Sequence, residues 1–404
     1  MEPAGRIDPP AWMTESATRR VLAALGADGQ PVRFVGGCVR DAILGRPVGD
    51  LDLATPVTPE RVLDLLRDAG LKAVPTGIDH GTVTAVTAER SIEITTLRRD
   101  VETDGRHAVV AFTDDWTADA ARRDFTINAL FCDGDGTVYD PVGGWADLLA
   151  GRVRFVGEPD RRIREDYLRI LRFFRFHAHY GSGPPNPDGL TAAVRHAEGL
   201  AGIAAERRRA ELLKLLTAPN PAPVVEIMKT HGVLARISHG LAQTDDLEAL
   251  VGIEHAMHQT PDALRRLGTL LHSNPRGAAA VAEGLRLSRS QVSRLAALHQ
   301  PSLPSAPDSA GPALRAALYR DGPRAVRDRV LVGAAVRARS GGSLDHRQLA
   351  AALAEIDAWT PKKLPIGGED VKALGVPAGP RVGVLLHAVE DWWVARDFAP
   401  DRAA

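Results

Sequence analysis

A chain of 404 residues is long enough for two or more domains, because single hydrophobic cores stop growing near ~250 residues. Hydrophobic and charged fractions of 44% and 25% exclude disorder throughout, and a net charge of −1 excludes a globally basic nucleic-acid binder, so RNA contact needs local basic patches. Two cysteines, Cys38 and Cys132, are too few for a disulfide framework or a cysteine zinc site; with no apolar run of about 18 residues and an acidic, proline-containing start, a cytoplasmic protein without a membrane segment is expected.

In chain order, residues 1–30 read as a ragged leader with one helix, Ser16 to Leu25. Val32 to Val35 reads as a short buried strand, Gly36-Gly37 as a tight turn, and Cys38 to Leu44 as a helix stopped by Gly45 and Pro47. Glycines let backbone N–H groups approach phosphate oxygens at such a turn, so Gly37 is a candidate nucleotide contact, and Arg40 adds a planar charged fork. Asp50 and Asp52 follow. In an extended strand they share a face while Leu51 and Leu53 pack behind them, and two hard carboxylates suit Mg²⁺, which completes its shell with water and substrate phosphates. Asp-x-Asp by itself also occurs in surface turns and calcium loops. Thr58-Pro59-Glu60 opens the helix RVLDLLRDAG, and HGTVTAVTAE, SIEITTLR, HAVVAFTD and GTVYDPV then read as strands broken by Gly and Asp turns. Glu93 stands mid-strand among Ile92, Ile94 and Thr95, facing either a site or solvent.

Past about Arg152 helical patterning takes over, punctuated by proline-rich breaks at 181–189, 218–223 and 302–312. Arg161, Arg162, Arg164, Arg169, Arg172 and Arg175 crowd one stretch, and Arg207, Arg208 and Arg209 another. A helix is expected from Arg164 to Tyr180, with Ile163, Tyr167, Leu171 and Phe174 as its apolar stripe. Its polar face then presents Asp166, Arg169 and Arg172 in a row, with Arg175 near the end. A carboxylate and a guanidinium on adjacent turns supply the acceptor and donor that reading a base edge needs; an intrahelical ion pair is the plainer alternative.

The order of these motifs, FVGGCVRDAILGRPVGDLDLAT, ARRDFTINAL, DPVGGWADL, EDYLRILRFFRF and AERRRAELLKLL, resembles the class II tRNA nucleotidyltransferases and bacterial poly(A) polymerases of the polymerase-β-like superfamily. The resemblance covers about residues 32–220, with a weaker match in the tail. It implies an α+β chain: a leader (1–30), a nucleotidyltransferase head of mixed sheet and helices (31–150), a helical neck carrying the nucleotide-selecting helix (151–220), and a helical body and tail for tRNA (221–404). It implies catalytic Asp50, Asp52 and Glu93, with the two aspartates on Mg²⁺. Arg123 would reach the phosphates with Asp124 orienting it, and Asn128 would bond nucleotide or sugar. Asp166 and Arg169 would read the base, and Arg172 and Arg175 would hold ribose or phosphates. The DPVGGWADL and AERRRAELLKLL segments are expected to be structural.

The implied reaction adds CCA to the tRNA 3′ end from CTP and ATP. The stretch after the aspartates, AVPTGIDHGTVTAV, resembles the tRNA-specific branch, and LRRDVETDGRHAVVAFTDD (97–115) the flexible loop of full CCA-adding enzymes. Poly(A) or A-only addition on the same chemistry is the runner-up, and a noncatalytic RNA-binding relative the alternative of a different class. Some relatives carry a phosphohydrolase His-Asp pair. Here His272 is followed by Ser273, and Asp262, His255 and His258 form no recognisable ligand set.

Overall fold

The computed structural model describes residues 1–104, 107–241, 244–271, 275–298 and 311–403. Its contacts fall into two compact units, Met1–Glu211 and Leu212–Ala404. The described strands all lie in the first unit: β1 (Pro3–Arg6), β2 (Arg33–Val35), β3 (Leu51–Thr55), β4 (Lys72–Gly77), β5 (Thr82–Val86), β6 (Ser91–Thr96), β7 (Arg98–Asp104), β8 (His107–Phe112), β9 (Phe131–Cys132) and β10 (Thr137–Tyr139). Eight of them form one mixed sheet in the order β1-β10-β9-β2-β3-β6-β5-β4, while β7 and β8 pair as a separate hairpin within the 97–115 segment. His272 and Ser273, where the phosphohydrolase pair is missing from the sequence, and most of the 302–312 break lie outside the described residues.

Hydrophobic alternation explains the centre of the sheet. Leu51, Leu53, Ile92 and Ile94 are buried on one face, which leaves Asp52 and Glu93 on the other. The β3–β6 pairing is parallel and sets Asp52 directly opposite Glu93. Residues 3–6, expected within a ragged leader, instead form the edge strand β1 against β10. Pro3 and Gly5 disguise it, because neither residue favours a strand without a partner to pair with.

Two glycines fix the local geometry. Gly36 sits at φ 74°, where residues with a Cβ are strained, and donates its N–H to Leu130 O (3.2 Å), so β2 turns at once into the helix Gly37–Ile43. Gly144 approaches the Thr126 turn so closely that a Cβ would lie 2.0 Å from Thr126 O. Beside it, buried Asp147 accepts from Thr126 Oγ1 (2.7 Å) and from Arg154 Nε (2.9 Å). The DPVGGWADL segment therefore buttresses the loop that carries Asp124 and Asn128, the structural role expected of it.

The helix expected over Arg164–Tyr180 is two helices, Pro159–Glu165 and Leu168–Tyr180. Asp166 between them is extended (φ −155°, ψ 107°), and its carboxylate accepts from Leu168 N (3.0 Å), capping the second helix. Phe173 of that helix packs with Phe125 and Phe155, and Phe176 with Phe125, at centroid separations of 5.2 to 6.4 Å, which anchors the helix against the sheet-bearing part of the unit.

The described part of the second unit is helical. At its centre Glu254 accepts from Arg265 Nε and Arg266 Nε (both 2.7 Å), and Arg266 also donates to Leu216 O and Ala218 O. All of these side chains are buried. A helix follows the Pro-Ala-Gly-Pro turn and spans Pro380–Ala395, with Trp393 packed edge-on against Phe398.

Candidate active site

A cleft of about 500 Å³ in the first unit gathers most of the residues singled out by the sequence: Gly37, Arg40, Asp52, Arg123, Asp166, Arg169 and Arg172 all line it. Asp52 is half-buried at the start of β3, with exposed Asp50 one residue before the strand and exposed Glu93 beside it on β6. Burial pushes the Asp52 carboxyl up to about 6, and the negative charge of Glu93 adds to this, while Arg123 opposes it. Among the described residues no three His, Cys, Asp or Glu side chains are arranged as a metal cage. A partly desolvated aspartate flanked by further carboxylates nevertheless fits Mg²⁺, which needs only one or two protein carboxylates once substrate phosphates are present.

Arg123 lies above the Phe131 ring (5.5 Å) and donates through Nε and Nη2 to Asp119 Oδ2 (3.2 and 2.8 Å). The expected partner, Asp124, is not the one used. Asp119 precedes Arg123 by four residues, a spacing that brings two side chains together on one helical face. Asp124 turns inward, accepting from Arg172 Nε (2.6 Å), Asn128 Nδ2 (3.0 Å) and its own following amide, Phe125 N (2.9 Å). Burial raises its carboxyl, but the Arg172 charge and these hydrogen bonds outweigh burial and hold it below the ordinary carboxylate range.

Arg40 also differs from expectation. Its fork does not point freely at a phosphate: Nε and Nη2 bind Asp41 (3.0 and 2.8 Å), Nη2 also donates to Tyr180 Oη (2.7 Å), and Nη1 donates to Asn128 Oδ1 (2.6 Å). Four of the five N–H donors a guanidinium possesses are thereby engaged within the protein. Asn128, expected to meet the nucleotide, is held from both sides by Arg40 and Asp124.

Around the helix Leu168–Tyr180, Arg169 Nη1 donates to Glu165 Oε2 (2.6 Å) and Arg162 O (2.7 Å). Asp166 Oδ2 accepts from Arg207 Nη2 (2.8 Å). Arg175, expected at ribose or phosphate, does not line the cleft; it pairs with Glu211 (3.1 Å) and lies over Phe176 (4.5 Å). The helix turns it away because residue 175 is six positions from Arg169 and three from Arg172, on the flank toward the helix Ala205–Leu216. Three cleft or support residues were missed: Asp119, Glu165 and Arg207. The first two were readable as partners four residues before an arginine, whereas Arg207 is joined to its partner across 41 positions.

A mixed sheet with a glycine turn, strand-borne carboxylates and an arginine-lined cleft defines a nucleotidyltransferase head. Residues 32–154 match the poly A polymerase head domain, and residues 186–243 the probable RNA- and SrmB-binding site of polymerase A. The chain is 35% identical over 379 residues to the mouse (Mus musculus) mitochondrial CCA tRNA nucleotidyltransferase 1, covering 92% of this chain and 84% of that one. It is 32% identical over 375 residues to the CCA-adding enzyme of Levilactobacillus brevis, covering 92% and 91%. Among solved structures, the Bacillus stearothermophilus CCA-adding enzyme in complex with CTP superposes with a TM-score of 0.74 at 28% identity over 95% of this chain and 94% of that one. The chain belongs to the CCA tRNA nucleotidyltransferase family.

Proposed function

We propose that this protein adds C, C and A in turn to the 3′ end of tRNA from CTP and ATP, choosing each nucleotide with its own side chains. The observation that carries this reading is the single cleft that brings Asp52 together with the acceptor and donor pair Asp166 and Arg169. In the reaction the tRNA 3′ oxygen attacks the α-phosphorus in line, the bond from that phosphorus to the bridging oxygen breaks, and pyrophosphate leaves. Asp50 and Asp52, with Glu93 alongside, would hold Mg²⁺, which when bound favours the deprotonated hydroxyl and offsets charge on the leaving group. Gly37 and Arg123 bind the triphosphate, and Arg172 reaches its ribose side from a position fixed by Asp124. Arg40 and Asn128 act behind them, as supports for Asp124.

Asp166 accepts from the exocyclic amine and Arg169 donates to the ring nitrogen of cytosine or adenine, two bases that share this pattern on their pairing edge. The head (31–150) and neck (151–220) supply the chemistry, and the body and tail (221–404) hold the tRNA acceptor arm, chiefly through phosphates and A-form shape. No described helix is long and apolar enough to cross a membrane. Both cysteines are free and buried, with thiols pushed up by burial to about 11 and 12, which suits the reducing cytoplasm.

The test is incubation with a tRNA transcript lacking its 3′ terminal CCA, supplied with CTP, ATP or both. Two C residues from CTP alone, and CCA from the mixture, are the expected products. Use of ATP without CTP would instead favour A-only or poly(A) addition.

A further inference from the structure

We infer that Arg207 sets nucleotide selectivity by fixing the plane of the Asp166 carboxylate; the inference rests on the CCA-adding reading of the cleft. Cytosine and adenine offer an amino donor beside a ring-nitrogen acceptor, whereas uracil and guanine offer a carbonyl acceptor beside a ring N–H. A carboxylate next to a guanidinium separates the two pairs only while each stays opposite its own position. If the carboxylate turns aside, its preference for an amine is lost and a carbonyl is no longer repelled.

Asp166 lies within no helix, because it stands in the extended break between Pro159–Glu165 and Leu168–Tyr180. Its orientation comes from two contacts, one with the helix it caps and one from a separate helix. Leu168 N donates to Oδ1 (3.0 Å), and the Arg207 fork spans the carboxylate, with Nη2 at 2.8 Å from Oδ2 and Nη1 at 3.5 Å from Oδ1. A two-point fork fixes a carboxylate plane in a way that a single charge does not. An ionised carboxylate has about four lone-pair sites, so room remains for an amine from the base. Arg207 lines the same cleft as Asp166 and reaches it from the helix Ala205–Leu216. Arg169 is positioned separately, by Glu165 and Arg162 O, so Arg207 acts on the acceptor half of the pair alone. It is a positioning residue and takes no part in bond making.

The experiment compares the full chain with Arg207→Gln, Arg207→Lys, Asp166→Ala and the Asp166→Ala, Arg207→Gln double variant, measuring kcat and KM for CTP, UTP, ATP and GTP on the transcript lacking CCA. In Arg207→Gln the CTP over UTP preference is expected to fall about tenfold or more, chiefly through a higher KM for CTP. Arg207→Lys, which keeps the charge without the fork, should recover only part of the preference. In the Asp166→Ala background the Arg207 change should alter kcat/KM less than about twofold, because the group it positions is gone. Equal losses with all four nucleotides, full rescue by lysine, or an undiminished effect when Asp166 is alanine would each overturn the inference. Should Arg207→Gln fail to fold, the lysine variant carries the comparison. A wild-type chain that adds no C refutes the functional reading itself, whereas normal CCA addition with selectivity intact in Arg207→Gln refutes only the role of Arg207.

Discussion

Replacing Asp124 tests whether the cleft is held together by a pair of buried charges. In Asp124→Ala, Arg172 loses its main partner and is left with Glu211 at 3.9 Å, the Phe176 ring at 5.4 Å and the more distant charge of Asp166, while Asn128 Nδ2 and Phe125 N lose their acceptor. Removing one member of a buried pair costs ~3–5 kcal/mol where water cannot reach the survivor. The Arg172 side chain is 31% exposed, so water offsets part of that loss and about 2–3 kcal/mol is expected. The milder Asp124→Asn keeps the shape but not the charge and should cost about 1–2 kcal/mol. The folded-state pKa of Asp124 is depressed, so its contribution is present above the unfolded value near ~3.9 and is lost as pH falls through the lower folded value. The gap between wild type and Asp124→Asn should therefore be full at neutral pH, begin to narrow below about pH 4 and reach its minimum only below the folded value. Amide hydrogen exchange along Leu168–Tyr180 reports the local cost at each pH, and kcat/KM for CTP reports the loss of Arg172 positioning. A change in opening free energy below about 0.5 kcal/mol at pH 7, or one that is the same at pH 7 and below the folded value, would show that the pair does not hold the helix.

Asp50→Ala should abolish nucleotide incorporation while leaving tRNA affinity within about twofold, as measured by filter binding, and chelation by EDTA should stop the wild-type reaction until Mg²⁺ is restored. Normal incorporation by the variant would remove Asp50 from the chemistry. Glu254→Gln leaves buried Arg265 and Arg266 short of their shared charge partner, so denaturant unfolding followed by Trp393 fluorescence should show the second unit destabilised by about 3 kcal/mol. A change below 1 kcal/mol would mean, on the scale of that estimate, that the two arginines find other acceptors. Gly144→Ala drives a Cβ against Thr126 O and should cost more than about 3 kcal/mol or prevent folding, visible as loss of the thermal transition; unchanged melting would contradict the close approach.

What was legible in the sequence follows from the range of the physics behind each feature. Period-two alternation is local, so the faces of β3 and β6 could be assigned from Leu51, Leu53, Ile92 and Ile94 alone. That Asp52 and Glu93 face each other depends on two strands pairing in parallel across 41 positions, which no local pattern states. Edge strand β1 was hidden for the same reason, because its order comes from β10 rather than from its own residues.

The segment Arg164–Tyr180 shows most sharply how a local pattern can mislead. Ile163, Leu171 and Phe174 are all buried, so the apolar spacing runs on across the break and a single helix satisfies it. No glycine or proline marks the interruption. The one local signal is Asp166 itself, a residue type that favours capping two positions before the next helix. The arginines carried a related ambiguity: their number announced an anion site, but Arg40 and Arg175 are held by Asp41, Asn128, Tyr180 and Glu211, all but the neighbouring Asp41 drawn from distant elements. A guanidinium such as that of Arg40, with four of its five donors engaged within the protein, has no complete fork left to offer a phosphate. In this cleft, then, the arginines differ in how many of their donors the fold has already claimed, and on the proposed reading that difference divides those that meet the nucleotide from those that aim the residues that do.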